Sequence, residues 1–261
     1  MRIGIHGGTG WLGKALGLNL LARGLPATAL ALTNRRGPTP DYAQWPGVTW
    51  ASGLQDLAGQ SDMLVLSVRP EDYRPEGPSE FSGIVLSFVA GVPLDRLAQD
   101  WPRARLARAM PGGGATEARA HVPWCGPGLS EADAAQVQDT LAALGSVDRV
   151  TDEAALAVLT ALSGSGAAYP ALMAQAMYEH ALARGIAPDV AWRGVASVMC
   201  DAPELFRSGP QAVQGLIDAY YGYRGITAAG MTAANEAGLG RAIQAALKAA
   251  TEKSLTFRVD P

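Results

Sequence analysis

The chain has 261 residues, enough for one large domain or two of ordinary size around separate cores. Hydrophobic residues make up 48% and charged residues 17%, with a mean hydropathy of +0.07, which excludes a disordered tail protein. A net charge of −3 excludes a long-range positive field, so neither nucleic acid nor a membrane is an expected partner, and any anion must be captured locally.

Residues 1–150 alternate short apolar runs with helical patterns and Gly/Pro punctuation, the texture of βαβ units and a parallel sheet. Strands are expected near Arg2 to His6, Ala27 to Thr33, Met63 to Val68, Gly83 to Phe88, Arg105 to Ala109 and His121 to Cys125. Helical patterns cover Gly13 to Arg23, Leu94 to Asp100 and Glu131 to Leu144, the last stopped by Gly145. Residues 151–261 lose the strand-like runs, and Ala-rich helical segments replace them: Asp152 to Leu162, Ala167 to Arg184, Pro188 to Phe206, Pro210 to Asp218 and Met231 to Leu255. The segment from Ala167 to Arg184 is apolar around most of its circumference, which calls for cover within a bundle or between subunits.

Cys125 and Cys200 are too far apart for a CxxC pair and read as reduced packing residues. His6, His121 and His180 have no metal-ligand spacing, so no metal is expected. No uninterrupted apolar run approaches the length of a membrane helix and no leader pattern follows Met1, which makes the cytoplasm the expected compartment.

The first strand runs into Gly7-Gly8-Thr9-Gly10-Trp11-Leu12-Gly13, so Gly8, Gly10 and Gly13 complete GxGxxG between a strand and a helix. In that context the glycines permit a tight turn, close approach of a pyrophosphate and close helix–strand packing, while the helix N-terminus attracts the anion. No acid closes the second strand to bond the ribose of NAD. Asn34, Arg35 and Arg36 stand there instead, and paired guanidiniums suit a 2′-phosphate, so NADPH is favoured over NADH. The third and fourth strand ends, Val68-Arg69-Pro70 and Val89-Ala90-Gly91, face the same crevice in a doubly wound sheet.

Together these segments resemble the pyrroline-5-carboxylate reductase family over nearly the whole chain. The resemblance rests on Ile3 to Gly13, Asn34-Arg35, Val68-Arg69-Pro70, Ser87 to Val92, Arg108-Ala109-Met110-Pro111 and Ser163-Gly164-Ser165-Gly166-Ala167-Ala168-Tyr169. The last stretch is similar to the family's SGSGPAY signature, with Ala167 in place of proline. The resemblance implies an N-terminal Rossmann domain, a C-terminal helical dimerisation domain, and an intertwined homodimer that reduces a cyclic imine with NAD(P)H.

Two departures stand out. Where the family has MPN, this chain has Met110-Pro111-Gly112, without the amide side chain. The family's TSPGGTT loop aligns with Tyr221-Gly222-Tyr223-Arg224-Gly225-Ile226-Thr227, so Gly222 and Ile226 replace two hydroxyl residues. Arg224 is the candidate to bind a carboxylate, Tyr221 or Tyr223 to donate a proton, and Thr227 and Gly225 remain from the family pattern. Ser163 and Ser165 are candidate substrate donors, while Tyr169 reads as a helix aromatic rather than an acid. The expected activity is reduction of 1-pyrroline-5-carboxylate or a related imino acid. The alternatives are reduction of another imine or keto acid, a deazaflavin partner suggested by the GGTG spelling of Gly7 to Gly10, and a non-catalytic NADPH-binding protein.

Overall fold

The computed structural model describes residues 1–74, 78 and 80–258. It divides into two compact units, Met1–Ser165 with Ala249–Pro261, and Gly166–Lys248. The change from sheet to helices falls near residue 150, whereas the compact first unit continues to Ser165 and takes in the C-terminal segment.

The first unit is built on one eight-stranded sheet. Its strands are β1 (Ile3–His6), β2 (Leu30–Thr33), β3 (Thr49–Trp50), β4 (Met63–Leu66), β5 (Ile84–Ser87), β6 (Arg105–Ala109), β7 (Ala120–Cys125) and β8 (Gly145–Arg149), in the spatial order β3-β2-β1-β4-β5-β6-β7-β8. Among the described strands only the β6–β7 pair is antiparallel. β1 therefore sits between β2 and β4, with Ile3 opposite both Leu30 and Met63. That reversal of strand order is the topological switch point at which doubly wound sheets bind ligands, outside the carboxyl ends of the strands.

Both faces of the sheet are covered, so the strands read as continuous apolar runs rather than alternating ones. Ile3, Ile5, Met63 and Val65 join a core with Leu16 and Leu20 of α1 (Trp11–Ala22). Leu64, Leu66 and Val85 point the other way, toward Leu57 of α2 (Leu54–Gly59) and Leu97 of α3 (Leu94–Asp100). Trp101 is 1% exposed there and meets Phe81 edge-on at 6.0 Å. Beyond β7, α4 (Glu131–Leu141) starts on a Ser130 cap whose side chain accepts from the Asp133 N–H. Gly145, at φ +148° against the Ala120 backbone, then ends the helical run and opens β8.

Three sequence expectations change here. The strand expected from Ala27 begins only at Leu30, after a short 3₁₀ turn at Ala27–Ala29. β3 and β8 were not expected: β3 has two residues, and β8 is an edge strand with one apolar side chain, held by backbone pairing to β7. After α5 (Glu153–Leu159), the helix widens into a π turn at Thr160–Gly164.

The second unit contains α6 (Ala168–Ala183), α7 (Pro188–Ala196), α8 (Pro210–Tyr223), α9 (Ile226–Glu236) and the start of α10 (Leu239–Thr256). The helix expected from Met231 to Leu255 is interrupted at Gly238, which takes φ +86°. α6 and α7 pack together, with Tyr178 edge-on to Trp192 at 6.0 Å. No α6 residue is buried, and Leu172 is 66% exposed. Cys200 is exposed rather than packed, whereas Cys125 is buried and desolvation pushes its thiol up to about 11. By length and composition one stretch, Glu153–Ala183, is apolar enough to cross a membrane, contrary to the sequence expectation.

Candidate functional site

The first turn after β1 is shaped by contacts that leave no room for side chains. Gly7 takes φ +88°, and a Cβ there would lie 2.5 Å from the Ser67 carbonyl oxygen. A Cβ on Gly13 would collide with the Gly7 carbonyl. The Gly10 N–H donates to Gly7 O at 2.9 Å, and Gly7 N–H donates to Thr33 O at 2.9 Å, which ties the turn to the end of β2. Tyr42, buried beneath it, donates its hydroxyl to Gly8 O at 2.9 Å, and burial raises its pKa well above the ordinary phenol value. Sequence reasoning missed Tyr42, because nothing in its local pattern shows that it reaches back to the glycine turn.

Above this turn lies a cavity of about 670 Å³, lined by residues that include His6, Gly7, Thr9, Gly10, Asn34, Arg35, Arg36, Ser67, Val68, Arg69, Asp72 and Arg74. Among the described residues its lining carries four guanidiniums and one carboxylate, which makes it locally positive in an acidic chain. Asn34 donates to Thr9 Oγ1 at 2.7 Å, while Arg35 reaches Asp72 with two nitrogens at 3.2 and 3.3 Å. Arg69 stands 3.7 Å from Glu71, and Arg74 is pinned to the Glu71 and Tyr73 carbonyls. Among the described residues, buried His6 Nδ1 and Asn34 Oδ1 have no hydrogen-bond partner, and desolvation lowers the His6 pKa. Bare backbone, orphaned buried polar atoms and excess positive charge together fit a phosphorylated dinucleotide. Neither Trp11 nor Leu12 lines the cavity: Trp11 Nε1 donates to Thr116 Oγ1 at 3.2 Å, and Leu12 packs on the core.

Farther along the carboxyl edge, Ala90, Gly91, Met110 and Ser165 border a second cavity of about 260 Å³. Pro111 is buried beside it in sequence, and the Gly112 N–H donates to His121 O at 3.0 Å. A Cβ on Gly112 would come within 3.0 Å of Ser163 O, so the missing amide side chain matches a tight backbone approach. Ser163 Oγ lies 2.8 Å from His121 Nδ1, whose Nε2 is 3.1 Å from Asp148, and it also donates to Leu159 O. Ser163 is thus held by its own helix and by β7, while Ser165 reaches the cavity.

The remaining candidates lie in the second unit, and their expected loop is mostly helix. Tyr221 to Tyr223 end α8, Arg224 takes a left-handed φ of +54°, Gly225 precedes α9, and Ile226 and Thr227 begin it. Tyr223 is 84% and Ile226 94% exposed. Tyr221 accepts from Asn235 at 2.8 Å, which braces the two helices across the turn.

A family model for pyrroline-5-carboxylate reductase dimerisation matches residues 153–257. A pyrroline-5-carboxylate reductase from Arabidopsis thaliana is 30% identical over 196 residues, covering 70% of this chain and 70% of the relative. The chain belongs to the pyrroline-5-carboxylate reductase family. Another member, from a Synechocystis strain, is 28% identical and aligns over 97% of both chains. The fold is that of the Plasmodium falciparum pyrroline carboxylate reductase solved with NADP bound, with a TM-score of 0.82, 20% identity and 97% coverage of each chain. The apolar stretch Glu153–Ala183 falls within the dimerisation match.

Proposed function

We propose that this chain reduces 1-pyrroline-5-carboxylate to proline with NADPH. The observation that carries the reading is the arginine-lined cavity over the opening glycine turn in a chain of this family. Gly8 and Gly10, whose own N–H groups bond Thr33 O and Gly7 O, shape the turn around the pyrophosphate, and Thr9, Trp11, Leu12 and Gly13 offer it backbone N–H groups at the start of α1. Asn34, Arg35 and Arg36 clamp the 2′-phosphate, and Val68, Arg69 and Pro70 flank the adenosine half. Ala90, Met110 and Pro111 border the nicotinamide half, at the ends of β5 and β6.

NADPH supplies the hydride when bound. The protonated C=N carbon is already electrophilic, so the protein's task is to orient the ring and neutralise its carboxylate. Ser163 and Ser165 of the first unit are assigned to substrate binding; in the second unit Gly225 is assigned to substrate binding and Tyr223, Arg224 and Thr227 to catalysis. Residues 1–150 form the cofactor domain and 151–261 the substrate and dimerisation domain of a cytoplasmic homodimer. The exposed apolar surface of α6 supports the dimer, since a patch of that kind marks an interface.

The test is oxidation of NADPH by the purified protein with 1-pyrroline-5-carboxylate, and appearance of proline. Gly222 and Ile226 stand where family members carry hydroxyls, which favours one second reading: a related imine or keto acid as the preferred substrate. A panel of such compounds separates the two, and tight NADPH binding without turnover of any would leave a non-catalytic binding protein.

A further inference from the structure

We propose that Lys253, on the last turns of α10, grips the substrate carboxylate, a role that rests on the imino-acid reading above. The cavity of about 260 Å³ at the ends of β5 and β6 is closed on one side by Ala250, Lys253, Ser254 and Phe257. These positions are spaced three and four apart and so share one face of the helix. Among the described residues the cavity is lined by two cations, Lys253 and Arg108, three hydroxyl residues, Thr160, Ser165 and Ser254, and no carboxylate. A pocket with that lining selects a small anion.

The two cations are held differently. Arg108 is paired through one terminal nitrogen with Glu153, yet its Nε is buried without a hydrogen-bond partner among the described residues. The Lys253 ammonium lies 5.3 Å from the centre of the Phe257 ring, a contact that leaves its N–H donors available to a ligand. Both face a cavity that Ala90, Gly91 and Met110 border from the strand ends, the edge where the sheet's ligands bind. The chain's α8–α9 turn lacks two of the family's hydroxyls, and an ammonium from the C-terminal helix replaces their grip on the carboxylate.

The experiment compares Lys253→Met and Lys253→Arg with the wild type on 1-pyrroline-5-carboxylate and on 1-pyrroline, which lacks the carboxylate. Loss of one charged hydrogen bond predicts a KM rise on the order of 10- to 100-fold for the carboxylated imine in Lys253→Met. The KM for 1-pyrroline and the Kd for NADPH stay within about twofold of wild type, and Lys253→Arg restores most of the loss. Calorimetry with cyclopentanecarboxylate, an unreactive ring carboxylate, gives a readout independent of turnover: the wild type binds it and Lys253→Met does not. If neither imine is turned over by the wild type, the catalytic reading fails, while the calorimetric pair still decides the role of Lys253. Equal KM changes for both imines, no change for either, or equal binding of cyclopentanecarboxylate by Lys253→Met and wild type would overturn the assignment.

Discussion

Replacing Gly7 by alanine tests the glycine turn most sharply, and Gly24→Ala provides its internal control. Both glycines have strongly positive φ, +88° and +97°. An alanine at either pays the left-handed strain, about 1–2 kcal/mol. At Gly24 nothing lies within 4 Å of an added Cβ. At Gly7 the Cβ would sit 2.5 Å from Ser67 O, 2.8 Å from Ser67 C and 3.1 Å from Val68 N, all backbone atoms at the end of β4. Those atoms cannot rotate away, so the β1–β4 edge must open, adding about 1–3 kcal/mol of overpacking. At about 2–4 °C per kcal/mol for a chain of this size, Gly7→Ala melts several degrees below Gly24→Ala. Because Gly7 also accepts from Gly10 N–H, the same shift weakens NADPH binding by about tenfold or more, whereas Gly24→Ala keeps wild-type affinity. Paired thermal melts and NADPH titrations give the comparison. Equal melting points for the two variants, or unchanged affinity in Gly7→Ala, would refute the steric account of the turn.

Tyr42→Phe leaves the Gly8 carbonyl unpaired and lowers stability by about 1–2 kcal/mol, read as a lower urea midpoint at unchanged slope. Arg36→Ala raises the Kd for NADPH more than Arg35→Ala does, since Arg35 is already engaged by Asp72, and neither changes the Kd for NADH. Burial holds the His6 pKa below its ordinary value of 6.5, so the unfolded chain takes up that proton first. Stability is therefore full above about pH 6.5 and declines as pH falls toward the folded pKa, and His6→Asn flattens that slope in denaturation series. Leu172→Glu, on the exposed surface of α6, converts the dimer to monomer in light scattering.

The sequence makes the opening turn legible because glycine spacing, strand and helix all obey the same steric demand. The buried strands are equally readable, since cover on both faces leaves unbroken apolar runs such as Met63 to Leu66. β8 escapes notice because Gly-Ser-Val-Asp-Arg carries one apolar side chain; its hydrogen bonds to β7 are a long-range property. Tyr221 to Thr227 read as a loop because they align with the family's TSPGGTT loop, yet α8 continues through Gly222 and turns only at Arg224. The pairing of Arg35 with Asp72 was likewise invisible, because it joins the ends of β2 and β4 across the switch point.

The central claim is that the arginine-rimmed cavity above the glycine turn holds the 2′-phosphorylated coenzyme. Isothermal titration of the wild-type protein with NADPH and with NADH tests it directly. The account predicts saturable binding of NADPH at one site per chain, tighter than NADH, with the difference abolished in the Arg35→Ala/Arg36→Ala double variant. No heat with either coenzyme, or an equal preference that the double variant leaves untouched, would contradict it.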